Sequence, residues 1–239
     1  MTEAVDLLVF AAHPDDAELH VGGTLLKLAA QGRRCAVVDL TAGEMGTRGS
    51  AAERKRECEA ASSILQLSAR DNLGFPDGSL SLDQKLRLEI VRRIRRYRPK
   101  VVATHHPDER HPDHFYTARL VAEAMYHGGL GKIETEHKRY RPAALVYFAP
   151  VVGYAILPSF VVDVTPHIEG KWEALRVYRS QFHDPHSSQP ATDLSHQDFL
   201  FHVESCNRYW GSLARVRYAE GYVASPQYAL RLDSPLVLV

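Results

Sequence analysis

The sequence is poor in the features that mark several broad classes of protein. Three cysteines occur in 239 residues, Cys35, Cys58 and Cys206, scattered and odd in number. They offer no disulfide framework and no zinc-pair spacing, and they fit a reducing cytoplasm. Net charge is zero, with 29 basic against 29 acidic side chains. A chain so balanced has no general attraction for nucleic acid or another polyanion. No apolar run approaches the ~20 residues of a membrane span, so no membrane partner is expected. Met1 to Val5 carries an acid and no basic stretch, so no secretory signal is read there. Gly22-Gly23 does not match G-x-G-x-x-G and falls inside a helical pattern, where close packing explains it better than a dinucleotide. Repeats, low-complexity segments and interdomain linkers are lacking too. The expectation is one cytoplasmic domain over residues 1–239, long enough for a full core.

What the sequence does hold is thirteen histidines, three of them in a pattern. The apolar run Leu7 to Ala12 reads as a buried strand and ends at His13-Pro14-Asp15-Asp16-Ala17-Glu18. His13 and Asp16, three apart, reach one metal ion if a turn brings them together. Asp15 then stands beside the ion without being a ligand, where a carboxylate can take a proton from activated water. An acid-rich helix cap explains the same letters, since proline and acids are ordinary in a first turn. This stretch alone leaves both explanations open.

A second stretch weighs on the choice. Another apolar run, Val101 to Ala103, leads into His105-His106-Pro107-Asp108-Glu109-Arg110-His111-Pro112-Asp113-His114. Three protein ligands and one open position mark a catalytic zinc site rather than a structural one. His13, Asp16 and His114 supply three, on strand ends that a parallel sheet sets side by side. Ligands bind at that edge of open α/β sheets. His111 and Asp113 are left as a His–carboxylate pair. A solvated loop with spare histidines is the competing explanation, and two such loops after two apolar strands count against it.

Strand and helix patterns alternate along the chain, which indicates an α/β class: a three-layer Rossmann-like fold with a mostly parallel sheet. Helices are expected over about 17–31, 51–67, 83–97, 112–126, 166–179 and 198–214, and strands over about 7–12, 35–40, 72–75, 100–104, 145–148 and 160–164. The C-terminal part is expected to add an edge strand or two. Ala60, Ala61, Ile64 and Leu65 form the inward side of the second helix. The arginine run from Arg92 to Arg98 reads as a solvated face. Asp184 to Ser195 reads as a loop able to fold over the pocket. In the glycine-rich loop 41–50, Arg48 is either a solvated residue or a planar clamp for a substrate carboxylate. Glu44 there either holds the loop or meets a sugar hydroxyl.

The stretches at 13–18 and 110–114 resemble the LmbE/PIG-L family of zinc-dependent N-deacetylases. Those at 39–49, 74–78, 178–182 and 218–222 resemble the branch acting on N-acetylglucosaminyl-malate in bacillithiol biosynthesis. The resemblance implies an LmbE-like fold and one Zn2+ per chain on His13, Asp16 and His114, though such a donor set also accepts iron, cobalt or manganese. It implies Asp15 as general base and a protonated His111, steadied by Asp113, beside the developing oxyanion. Arg48, Arg110 and Glu44 are the substrate-binding candidates. The implied partner is a small-molecule glycoside, and the implied assembly a homo-oligomer, commonly a hexamer. Some members also use a C-terminal tyrosine, for which Tyr209 and Tyr218 are candidates, with His202 nearby. An amidase of thiol S-conjugates, or a deacetylase of another N-acetylglucosaminide, carries the same motifs. A non-catalytic nucleotide- or metal-binding module leaves Asp15 and the His111–Asp113 pair without work.

Overall fold

Hydrophobicity without alternation dictates the centre of the molecule. The first strand, β1 (Leu7–Ala11), is apolar at every position because both its faces are covered, as in parallel sheets. Leu7, Val9 and Ala11 join one core, and Leu8, Phe10 and Ala12 the other. The computed structural model describes residues 3–151 and 156–228. Within them the order continues as α1 (Asp16–Ala30), β2 (Cys35–Thr41), α2 (Ala51–Ile64), β3 (Ala69–Phe75), α3 (Gln84–Tyr97), β4 (Val101–Thr104) and α4 (Pro112–Gly128). The second half holds β5 (Ala144–Phe148), β6 (Phe160–Asp163), α5 (Ile168–Arg176), α6 (Phe199–Leu213) and β7 (Ala219–Ala224). One core lies under α1, α2, α5 and α6, and the other under α3 and α4. This is the three-layer, mostly parallel α/β architecture that the alternation indicates.

The strands of the described residues form one sheet in the order β3-β2-β1-β4-β5-β7-β6. β1 runs parallel to β2, with Leu7 opposite Cys35, and parallel to β4, with Leu7 opposite Val101. The chain winds outward from β1 in one direction, then returns to β4 on its other side. The order therefore reverses between β1 and β4, and the crevice at such a switch point is where α/β sheets take ligands. The loops after β1 and β4, which carry the two histidine stretches, face each other there.

Three expectations are corrected and one is met in part. The C-terminal part adds one edge strand, β6, whereas β7 enters between β5 and β6, antiparallel to both. Its Glu220 is fully buried, accepting the Gly23 and Thr24 N–H groups of α1 and pairing with Lys171 Nζ of α5 at 2.7 Å. An outer strand could not meet both helices. The helix expected over 166–179 is shorter: a single 3-10 turn, Thr165–His167, precedes α5. The chain leaves α5 early because Tyr178 turns into the core, its hydroxyl donating to Glu18. The arginine run is not wholly solvated. Arg95 is buried and donates to the carbonyls of Gly128, Leu130 and Ile133, tying down the last residue of α4 and the connection after it. On α2, Ala61 and Leu65 point inward while Ala60 is exposed. The Gly22-Gly23 pair does serve close packing, since a Cβ on Gly23 would stand 2.7 Å from Val164. No helix among the described residues is long and apolar enough to cross a membrane.

Candidate active site

The site is built where β1 breaks into α1. Asp15 caps α1 with φ 107°, a left-handed conformation that a residue with a Cβ rarely adopts. Strain of this kind persists where the surroundings impose it, and it marks functional turns. Here it turns the chain sharply, so that Asp16 opens α1 with its carboxylate back over its own loop. Asp16 Oδ2 accepts the His13 N–H at 2.8 Å and stands 3.3 Å from His13 Nδ1. Its Oδ1 lies 3.4 Å from Nε2 of His114, which comes from the first turn of α4. One donor atom from each of His13, Asp16 and His114 falls within 4.8 Å of the others. Two imidazoles and a carboxylate, gathered at the floor of an open cavity, fit a divalent cation with a position left for water.

Each imidazole is held from its far side. His13 Nε2 lies 3.0 Å from Asp77 and 3.5 Å from Asp113. His114 Nδ1 lies 2.8 Å from Glu109. A carboxylate on the outer nitrogen fixes the tautomer and aim of a metal-binding histidine. In the cation-free protein the same carboxylates favour the protonated imidazoles. Burial opposes the His13 imidazolium, but Asp113, Asp16 and Asp77 outweigh it and hold its pKa well above the usual range. His114 is pushed up to about 9 in the same way, burial being overcome by Asp16 and Glu109. Asp77, despite its burial, is drawn down to about 2 by His13. Glu109, Asp77 and His105 carry no assigned role in the sequence analysis, and the structure sets all three against the site. Glu109 lies in the second stretch itself, five residues before His114, and its spacing was the available signal. Asp77 reads only as a turn residue and meets His13 across 64 positions.

Asp15 adjoins these donors but belongs to no donor set. Arg54 of α2 donates through Nη1 to the Pro14 carbonyl at 2.8 Å and to Asp15 Oδ2 at 3.3 Å. Burial pushes the Asp15 carboxyl up to about 7, with Arg54 opposing. A carboxyl poised there accepts and returns a proton near neutrality.

His111 caps α4, and its Nδ1 accepts the Asp113 backbone N–H at 3.2 Å. The neutral ring then carries its proton on Nε2. Burial, with His114 and His13 nearby, lowers its pKa, so His111 is a donor without being an imidazolium. The expected His111–Asp113 side-chain pair is corrected accordingly. The Asp113 carboxylate accepts the Gly78 and Leu80 N–H groups and faces His13.

These groups open onto a cavity of about 640 Å3 that His13, Asp15, Asp16, His111 and His114 line. Its outer wall includes Thr192, Asp193 and Leu194, from the loop expected to cover the pocket, and His202 of α6. Arg110 also lines it, paired at 3.5 Å with Asp193 in an exposed bridge. Arg48 does not line it. Its Nε donates to the Ser180 carbonyl and its Nη2 to Ser187 Oγ, which staples the covering loop and corrects the carboxylate-clamp expectation. Glu44 accepts the Asp77 N–H and so holds the turn that supports His13. Tyr209 is exposed, and Tyr218 donates to Glu204; neither lines the cavity.

A family model described as GlcNAc-PI de-N-acetylase (PIG-L) matches residues 8–125, which carry all of these donors. The chain is similar to a diacetylchitobiose deacetylase of Thermococcus kodakarensis, 30% identical over 90% of this chain and 81% of the relative. It is also similar to a probable N-acetyl-alpha-D-glucosaminyl L-malate deacetylase of Bacillus anthracis, 31% identical over 74% of this chain and 81% of the relative. Among solved structures, a conserved protein of Thermus thermophilus superposes with a TM-score of 0.84 at 38% identity, covering 96% of this chain and 98% of the other. With the family model over the donor-bearing half, and relatives along nearly the whole length, the chain belongs to the PIG-L/LmbE family of deacetylases.

Proposed function

We propose that the protein is a zinc-dependent hydrolase that removes the N-acetyl group of an N-acetylglucosaminide. One observation carries this reading: a buried carboxylate, Asp15, that belongs to no ligand set yet adjoins His13, Asp16 and His114 at the floor of a sugar-sized cavity. A bound zinc ion supplies Lewis acidity, polarising the acetyl carbonyl and making water a better nucleophile at neutral pH. Asp15 takes the proton of the attacking water and returns it to the amine nitrogen as the C–N bond breaks. Arg54 keeps the Asp15 carboxylate aimed through the Nη1 contact. His111 Nε2–H donates to the acetyl oxygen as that atom gains charge. Leu19 and Phe199 in the wall exclude water around it.

For the group beyond the sugar, malate is the first reading. It is supported by the branch motifs and by the B. anthracis relative, and Arg110 is left as the carboxylate partner. A second reading, a chitobiose-type disaccharide, is favoured by Arg48 being occupied and by the longer match to the T. kodakarensis relative. Amine release from N-acetylglucosaminyl-malate, N,N'-diacetylchitobiose and free N-acetylglucosamine, with zinc-loaded protein, tests both. Preference for the malate glycoside, reduced by Arg110→Gln, is the expected result. Preference for the disaccharide favours the second reading, and release from none of the three overturns the de-N-acetylase assignment.

A further inference from the structure

Beneath the first donor set lies a second, two of whose members, His20 and His105, have no part in the reaction. His20, on the second turn of α1, stacks on Phe148 with ring centroids 4.9 Å apart. Its ring stands edge-on to that of His105, which follows β4, with centroids 5.9 Å apart. His105 Nδ1 lies 3.2 Å from Glu109 Oε2. One donor atom from each of His20, His105 and Glu109 falls within 4.8 Å of the others. His20 and His105 are both more than nine-tenths buried, and His20 Nδ1 has no hydrogen-bond partner. A buried polar atom without a partner is unfavourable, and one facing two other donor groups is suited to an occupant. His20 and Glu109 touch the cavity, which gives an entry path from solvent.

We propose that His20, His105 and Glu109 form a second, inhibitory site for a divalent cation of the zinc type. Two imidazoles and a carboxylate are zinc-type ligands, and no soft donor is present to favour another metal. His105 Nε2 accepts the Ala12 N–H at 3.1 Å, so the ring proton sits on Nδ1, and it leaves to solvent when a cation takes that nitrogen. Glu109 is the link between the two sites. Its Oε1 faces His114 Nδ1 at 2.8 Å while its Oε2 faces His105, and the two rings are stacked 3.9 Å apart. A cation on Oε2 draws the carboxylate away from His114 and adds a second positive centre close to the first. Both effects oppose the first cation, so the second site is weaker and its filling lowers activity.

The inference uses the metal centre of the proposed function, and the test separates the two. Metal-free protein is titrated with zinc chloride by calorimetry, and amine release is followed at each ratio. Wild type, His20→Phe and His20→Gln are compared. Wild type is expected to bind two equivalents, with activity rising to the first and falling at the second. Both variants are expected to keep the first equivalent and its activity, to weaken the second at least ~10-fold, and to lose the fall in activity. A single equivalent in wild type overturns the site, and so does a second one of unchanged affinity in the variants. Circular dichroism selects whichever variant is folded, the glutamine preserving a polar group if phenylalanine does not pack. If amine release is absent at every ratio, the deacetylase reading fails while the isotherms still decide the second site.

Discussion

The buried charges along α1 differ in whether their bonds are complete. In the rear cluster, Glu220 is closed by Lys171 and by the Gly23 and Thr24 N–H groups. Glu18 and Asp39 are likewise closed around Arg70. At the front, Asp16 is shared among His13, His105 and His114, and Asp15 has a single cationic partner. The rear cluster is saturated and walled in, so its charges have nothing left to offer. The front cluster faces a cavity, with like groups crowded together and a carboxylate near neutrality. Burial alone does not separate a structural charge from a working one. Unfinished bonding next to an opening does.

The largest expected effect tests the front. Asp15→Asn should lower kcat by ~100- to 10,000-fold while zinc binding and melting temperature stay close to wild type, because Asn keeps the shape but not the proton acceptor. Comparable kcat in the variant would end its role as base. At the rear, Lys171→Met should cost about 3–5 kcal/mol of stability by stranding Glu220, read as a lower urea midpoint. Its activity per folded molecule should be unchanged, and a selective loss of kcat would blur the contrast between the clusters.

Acid stability probes the boundary. Burial drives His20 down to about 4, whereas an unfolded histidine titrates near 6.5. The unfolded chain therefore binds more protons between those values. The contribution of neutral His20 is complete above ~6.5 and is lost as pH falls toward ~4, on the order of 3 kcal/mol. His20→Phe should flatten the acid limb of the stability curve over that window, and parallel limbs would refute it. The smallest effect is expected for Glu109→Gln. With His114 less firmly held, affinity for the first zinc should fall ~10- to 100-fold, measured against a chelating indicator.

Local pattern carried much of the architecture. β1, α1 and the two histidine stretches are each contiguous, and the switch point follows from strand order once the sheet is parallel. Pairing across long separations was hidden. Arg48 meets Ser180 across 132 positions, and nothing in a glycine-rich loop separates a staple from a clamp. Arg95 lies in a basic run and reads as solvated, yet it serves carbonyls 33 to 38 residues further on. Closeness in sequence suggests contact between the Asp113 side chain and His111, whereas helix capping uses the Asp113 backbone N–H instead. His105 passed as one more loop histidine because strand pairing, not spacing, sets it beside Asp16.

β7 enters the sheet between two strands that precede it in the chain, and its Glu220 reaches 197 residues back to Gly23. During synthesis the histidine stretches therefore emerge long before the strand that anchors the middle of α1. A ribosome-bound fragment ending before Ala219 would carry every proposed zinc ligand but lack the carboxylate that seats Lys171 and the strand that joins β5 to β6. The reactive end of the chain is thus made first, and the strand that ties down the middle of α1 comes last.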